Sequence, residues 1–218
     1  MSTISISSRG SSNIRLTVIL LYCGIISSIL YAFMNVYVAM QWKEYSSVSQ
    51  TVSELSAIGA PTRSIWLWLA SVYTVLIISF GIGVKQSAYG NRVVNNVGNL
   101  ILLYGLVSLA WPFAPMHLRG DDRTFTDTMH ISLAVITVVI MVLAIIYGSK
   151  SFGRKFNIYS WVTLVILLVF GILTAIESPD IPKDLPTPLM GIWERVNIGA
   201  FLMWIVVLSI LLLRREKV

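Results

Sequence analysis

A chain of 218 residues that is 56% hydrophobic and only 12% charged carries about half the charged residues of an ordinary soluble domain, which has roughly 25%. Too few polar side chains remain to coat a globule, so the composition excludes a water-soluble domain and points to lipid as the covering solvent. The net charge of +6 is not a nucleic-acid signal, because the basic residues sit beside apolar runs, where they set topology and meet anionic headgroups.

The single cysteine, Cys23, excludes an intrachain disulfide, a CxxC redox pair and a thiolate metal cluster. It lies in the first apolar run. The uncharged stretch from Leu16 to Trp42 is longer than a signal-peptide core of about 7–15 residues and ends in no small-residue cleavage motif. It is expected to be a retained first span. A spanning helix needs about 20 mainly apolar residues, and six runs qualify: residues 16–40, 65–84, 93–115, 128–147, 156–176 and 196–213. Backbone polar groups inside lipid must pair within their own segment, so these runs predict helices. None alternates every second residue as a barrel strand would. The expected fold is all-α, one polytopic membrane domain of six transmembrane helices over residues 1–218.

Orientation follows from Lys and Arg. Arg9, Arg15, Lys85, Arg92, Lys150, Arg154, Lys155, Arg214, Arg215 and Lys217 fall on one side, with Glu216 as that side's one acid. The other three loops hold the remaining six basic residues and nine acids. The positive-inside rule predicts a cell-membrane protein with both termini cytoplasmic. Trp42, Trp66, Trp68, Trp111 and Trp193 then mark the outer boundary, and Tyr147, Phe156, Tyr159 and Trp161 the inner one.

In the first outer loop Val52, Leu55 and Ile58 recur at helical spacing and predict a short interfacial helix, stopped by Gly59-Ala-Pro61. Asn95, Asn96, Gly98, Asn99 and Gly105 in the third span suit close helix packing. Pro112 and Pro115 are expected to bend or end that span. The last outer loop, 178–188, has four prolines in eleven residues and predicts an extended, stiff strap.

Both histidines flank one polar crossing, in Trp111-Pro-Phe-Ala-Pro-Met-His117 and Asp127-Thr-Met-His130. Asp127 and His130 are i, i+3 and share a helix face. His130 sits about a turn inside a span, where an ionisable group usually faces the bundle interior or a wet cavity. His117, His130 and Asp127 are therefore candidate metal ligands. Two imidazoles and a carboxylate are a zinc donor set that leaves a position for water. Glu194 and Glu54 are the candidate catalytic carboxylates, and Ser53, Trp111, Trp193 and Arg195 the candidate ligand contacts. Plainer roles exist for each: Asp127 as a helix N-cap, His117 at headgroup level, Glu194 and Arg195 as an interfacial pair. No HExxH, GxSxG, Walker or GxGxxG motif occurs.

The stretch Ser53-Glu-Leu-Ser-Ala-Ile-Gly-Ala-Pro61 resembles the "S-x-L-G … P" outer loop of the prokaryotic family catalogued as domain of unknown function 998. Phe113-Ala-Pro115 ending the third span, His130 opening the fourth and Gly191-Ile-Trp-Glu-Arg195 opening the sixth are similar to the same pattern. The resemblance implies a six-helix integral membrane protein whose signature residues gather at the outer face, and no established activity. A looser likeness joins eukaryotic six-helix families linked to lipid-anchor remodelling or autophagy. Membrane hydrolases with three histidines, an aspartate and a serine are not matched, since this chain has two histidines.

Three functions follow as expectations. The first is binding, sensing or transport of a lipid or small amphipathic molecule through a polar site at the extracytoplasmic mouth. The second is metal-assisted hydrolysis of lipid headgroups. The third is a structural subunit of a homo- or hetero-oligomeric membrane complex, joined through Gly98/Gly105 or Gly191/Gly199. Membrane lipids are the expected partners, and nucleic acid is not.

Overall fold

The apolar runs become helices because a helix pairs every backbone group internally. The computed structural model describes residues 11–216. Arg9 and Lys217, both counted in the charge asymmetry, lie outside the described residues. Among the described residues six helices are long and apolar enough to cross a membrane. They are α1 (Ser11–Met40), α2 (Arg63–Gln86), α3 (Arg92–Ser108), α4 (Phe125–Gly148), α5 (Arg154–Glu177) and α6 (Met190–Glu216). Each packs on its neighbour in the chain, and α1 against α6 closes the circuit. The seam between α4 and α5 is the loosest of the neighbouring pairs.

The half of the bundle nearest the chain ends is filled. Phe80, Ile101, Ile145, Trp204, Ile205 and Leu212 are all buried there. Trp204 donates its indole N–H to Ser160 Oγ at 3.0 Å, so its one polar atom is paired. At this end Asn91 caps α3, accepting from Val93 N at 2.9 Å and Val94 N at 3.2 Å. Between α2 and α3 the backbones nearly touch. A Cβ on Gly98 would lie 2.9 Å from the Lys85 backbone nitrogen, and one on Gly105 would lie 2.6 Å from Ile78. Gly98 and Gly105 serve packing between α2 and α3, whereas a Cβ on Gly199 would meet nothing within 4 Å. Gly191 is enclosed by the Ser47 and Gln50 carbonyls.

The other end is roofed by three loops. The first carries a 3-10 turn, Ser53–Ser56. Val52 and Leu55 are buried against Met34, Val38 and Trp66. The loop is therefore driven into the top of the bundle, and the expected interfacial helix does not lie flat on the membrane. Ile58 N donates to Met116 O at 2.8 Å, joining the first roof loop to the second. Gly59 takes φ 86° at that junction, a left-handed conformation that suits glycine. The third loop is not the extended strap expected from its prolines. It forms a 3-10 turn at Ser178–Asp180, then buries Ile181, whose carbonyl accepts from Gly120 N at 3.1 Å.

Two helix boundaries differ from the sequence reading. α3 ends at Ser108 and a 3-10 turn at Trp111–Phe113 follows, because Pro112 cannot continue the α-helical ladder. α6 begins at Met190, six residues before the expected 196. Glu194 and Arg195 thus ride on the helix and point by its geometry in different directions.

Candidate functional site

One arginine, Arg119, contacts all three roof loops. Arg119 reaches Glu54 with Nε at 3.2 Å and Nη2 at 3.4 Å, the Leu185 carbonyl at 3.1 Å and the Ser49 carbonyl at 3.4 Å. It ties all three loops together. Glu54 is wholly buried. Its carboxylate also accepts from Thr51 N at 2.7 Å, Thr51 Oγ1 at 3.0 Å and Gln50 Nε2 at 3.2 Å. Five donors saturate it, so the Glu54 oxygens expected to serve catalysis are committed to the roof.

Asp127 is similarly committed. It lies in the first turn of α4 and forms a capping box with Thr124. Thr124 N donates to it at 2.8 Å. His117 donates to it twice, from its backbone N at 2.8 Å and from ring Nδ1 at 2.7 Å. His130 turns elsewhere, donating Nδ1–H to the Ala114 carbonyl at 2.8 Å, and Trp111 meets its ring edge-on at 4.9 Å. Both imidazoles therefore keep an unprotonated Nε2 when neutral. The expected ligand trio does not converge: among the described residues no three His, Cys, Asp or Glu side chains gather to hold a metal ion. Asp127 and His117 meet as a cap, and His130 is drawn to a backbone carbonyl one turn away.

Arg195 is also structural. Its guanidinium donates to Tyr45 Oη at 2.6 Å and to the carbonyls of Ser47, Gly191 and Gln50 at 2.9, 3.0 and 3.1 Å. Burial pushes the Tyr45 phenol well above its ordinary pKa, so it stays a neutral donor to the Thr51 carbonyl at 2.7 Å. Arg195 clamps the first loop to α6, and no ion pair joins it to Glu194 among the described residues. Trp193 is half-buried beside them and does not line the cavity below.

That cavity lies beneath the roof. It measures about 630 Å³, within the size range of small-molecule sites. Its mouth is lined by Ser53, Trp111, His117, Arg123, His130 and Glu194. Glu194 accepts a hydrogen bond from the Val52 backbone N–H. Six of the nine candidate residues, Asp127 among them, thus border one space. Deeper, Tyr31, Tyr73, Tyr104 and Asn197 face the same space from α1, α2, α3 and α6. Sequence reasoning missed these and Arg119. The available signal was a phenol or amide placed well inside a span, which argues for an inward face as strongly as His130 does.

One wall is the α4–α5 seam. Val135 and Val139 of α4 and Ile172 and Ala175 of α5 line the cavity and are exposed. Arg123 closes the top of this seam by donating to the Ser178 carbonyl at 2.8 Å.

Neither the curated proteins nor the solved structures hold a match to this chain. Residues 25–211 match the family described as Protein of unknown function (DUF998). With most of its length inside that match, and six membrane-length helices as the resemblance implied, the chain belongs to the DUF998 family.

Proposed function

We propose that this protein binds an amphipathic lipid in the roofed cavity, with the chains reaching the bilayer through the α4–α5 seam, as a sensor or carrier of that lipid. The observation that carries the reading is a cavity of about 630 Å³ with polar groups at its mouth and largely apolar walls, one of them the loosely packed α4–α5 seam. A bundle that needed only to be stable would close such a space, since apolar voids destabilise. The roof fits the same role, because its loops are cross-tied by Arg119 and keep water from the chains. With the termini cytoplasmic, as the basic residues favour, the mouth faces outward and the ligand comes from the outer leaflet of the cell membrane. The metal-assisted hydrolase reading has less support, because Glu54 and Asp127 spend their oxygens on protein donors.

The test is native mass spectrometry of protein purified in mild detergent. The wild type is expected to retain a discrete lipid. Ala134→Trp and Ala175→Trp place an indole in the seam. Each buried methylene forgone costs about 0.8 kcal/mol, so displacing three lowers affinity roughly fifty-fold. Loss of the lipid in these variants, with unchanged thermal unfolding, supports the reading. Wild-type protein carrying only exchangeable annular lipid refutes it.

A further inference from the structure

The deep end of the cavity holds more hydroxyl protons than the protein can use. Tyr73 and Tyr104 are buried, at 4% and 9% exposure, and their hydroxyl oxygens lie 2.9 Å apart. Two hydroxyls carry two protons, and the bond between them uses one. Whichever tyrosine donates, the other proton has no acceptor among the described residues. Tyr31 packs edge-on against Tyr73, with ring centroids 4.9 Å apart, and its hydroxyl has no protein partner among the described residues either. All three rings line the cavity. Tyr31 lies nine residues below the end of α1, and Tyr73 ten below the start of α2. At 1.5 Å per residue that is about 14–15 Å beneath the roof, at hydrocarbon depth.

A donor left unpaired in such a place costs free energy, and a ligand oxygen that accepts from it recovers that cost. A hydrocarbon tail alone would leave these hydroxyls unmet. A charged acceptor is disfavoured at this depth. The remaining class is an uncharged carbonyl. We propose that Tyr31 and the Tyr73–Tyr104 pair form a subsite for an ester carbonyl oxygen of the bound lipid. The inference rests on the lipid-binding reading above and adds which part of the lipid is recognised.

The test compares two uncharged lipids that differ in one respect, 1,2-dioleoylglycerol and its di-ether counterpart, titrated onto delipidated full-length protein by native mass spectrometry. A single Tyr73→Phe or Tyr104→Phe change leaves a hydroxyl in place. The informative variant is therefore Tyr31→Phe/Tyr73→Phe/Tyr104→Phe, which keeps all three rings. Wild type is expected to prefer the ester lipid by about three- to tenfold, the effect of one or two neutral hydrogen bonds. The triple variant should lose that preference with its ether-lipid affinity and thermal unfolding unchanged. Equal affinity of wild type for both lipids, or an ester preference that survives in the variant, overturns the subsite and leaves lipid binding standing. Failure of the wild type to bind either lipid overturns both.

Discussion

Glu54 and Arg119 illustrate how burial decides what a charged residue does. A carboxylate with no exposure is tolerable only when its oxygens are fully hydrogen-bonded and a cation faces it. Here five donors do this, two of them from Arg119. Removing one partner strands the other charge. Glu54→Ala and Arg119→Ala are each expected to cost about 3–5 kcal/mol, seen as a large fall in thermal unfolding temperature in detergent. The double variant should be much less damaging than the sum, since it leaves no orphaned ion. Additive losses would show that the two residues act separately. The sequence presents Glu54 as one acid among nine on its side, and nothing local distinguishes a saturated anion from a reactive one. Its partner is 65 positions away, and only the folded roof brings it near.

Between elements the informative contact is α2 on α3. Lipid tails are as apolar as leucine, so helices in a bilayer associate through close van der Waals packing, which small residues permit. Gly98 meets the Lys85 backbone and Gly105 meets Ile78. Gly98→Leu is expected to separate these helices and destabilise by about 1–3 kcal/mol, the usual cost of overpacking. Gly153→Leu, where nothing lies within 4 Å of the added Cβ, is the matched control. Equal stability of the two variants in a detergent unfolding series would sink the argument. The small residues of the third span were readable as a packing face, but their partner was not, since Gly98 carries no mark that distinguishes α2 from a second subunit. The end of α3 was misplaced for a related reason. Pro112 signals a break, but the apolar residues around it keep the hydropathy of a span. Tyr31, Tyr73 and Tyr104 come from three helices and share no periodicity, so their meeting is a property of the fold alone.

For the whole molecule, charge and architecture point the same way. Among the described residues nine of the ten acids lie at the roofed end, and eight of the fourteen Lys and Arg residues at the other. Basic residues near span ends are retained in the cytoplasm during insertion, whereas acids contribute little. Even parity over six spans puts the start of α1 and the end of α6 at that same basic end. The prediction uses a Cys23→Ser background, which removes the protein's own thiol. Asp122 and Lys150 are both exposed, in the roof and in the α4–α5 turn respectively. Asp122→Cys is expected to react with a membrane-impermeant maleimide on intact cells, and Lys150→Cys only after the membrane is opened. The reverse pattern would place the roof in the cytoplasm. It would also move the lipid supply to the inner leaflet, because the α4–α5 seam opens in whichever leaflet lies beneath the roof. Orientation therefore fixes the source of the ligand without touching the cavity's chemistry.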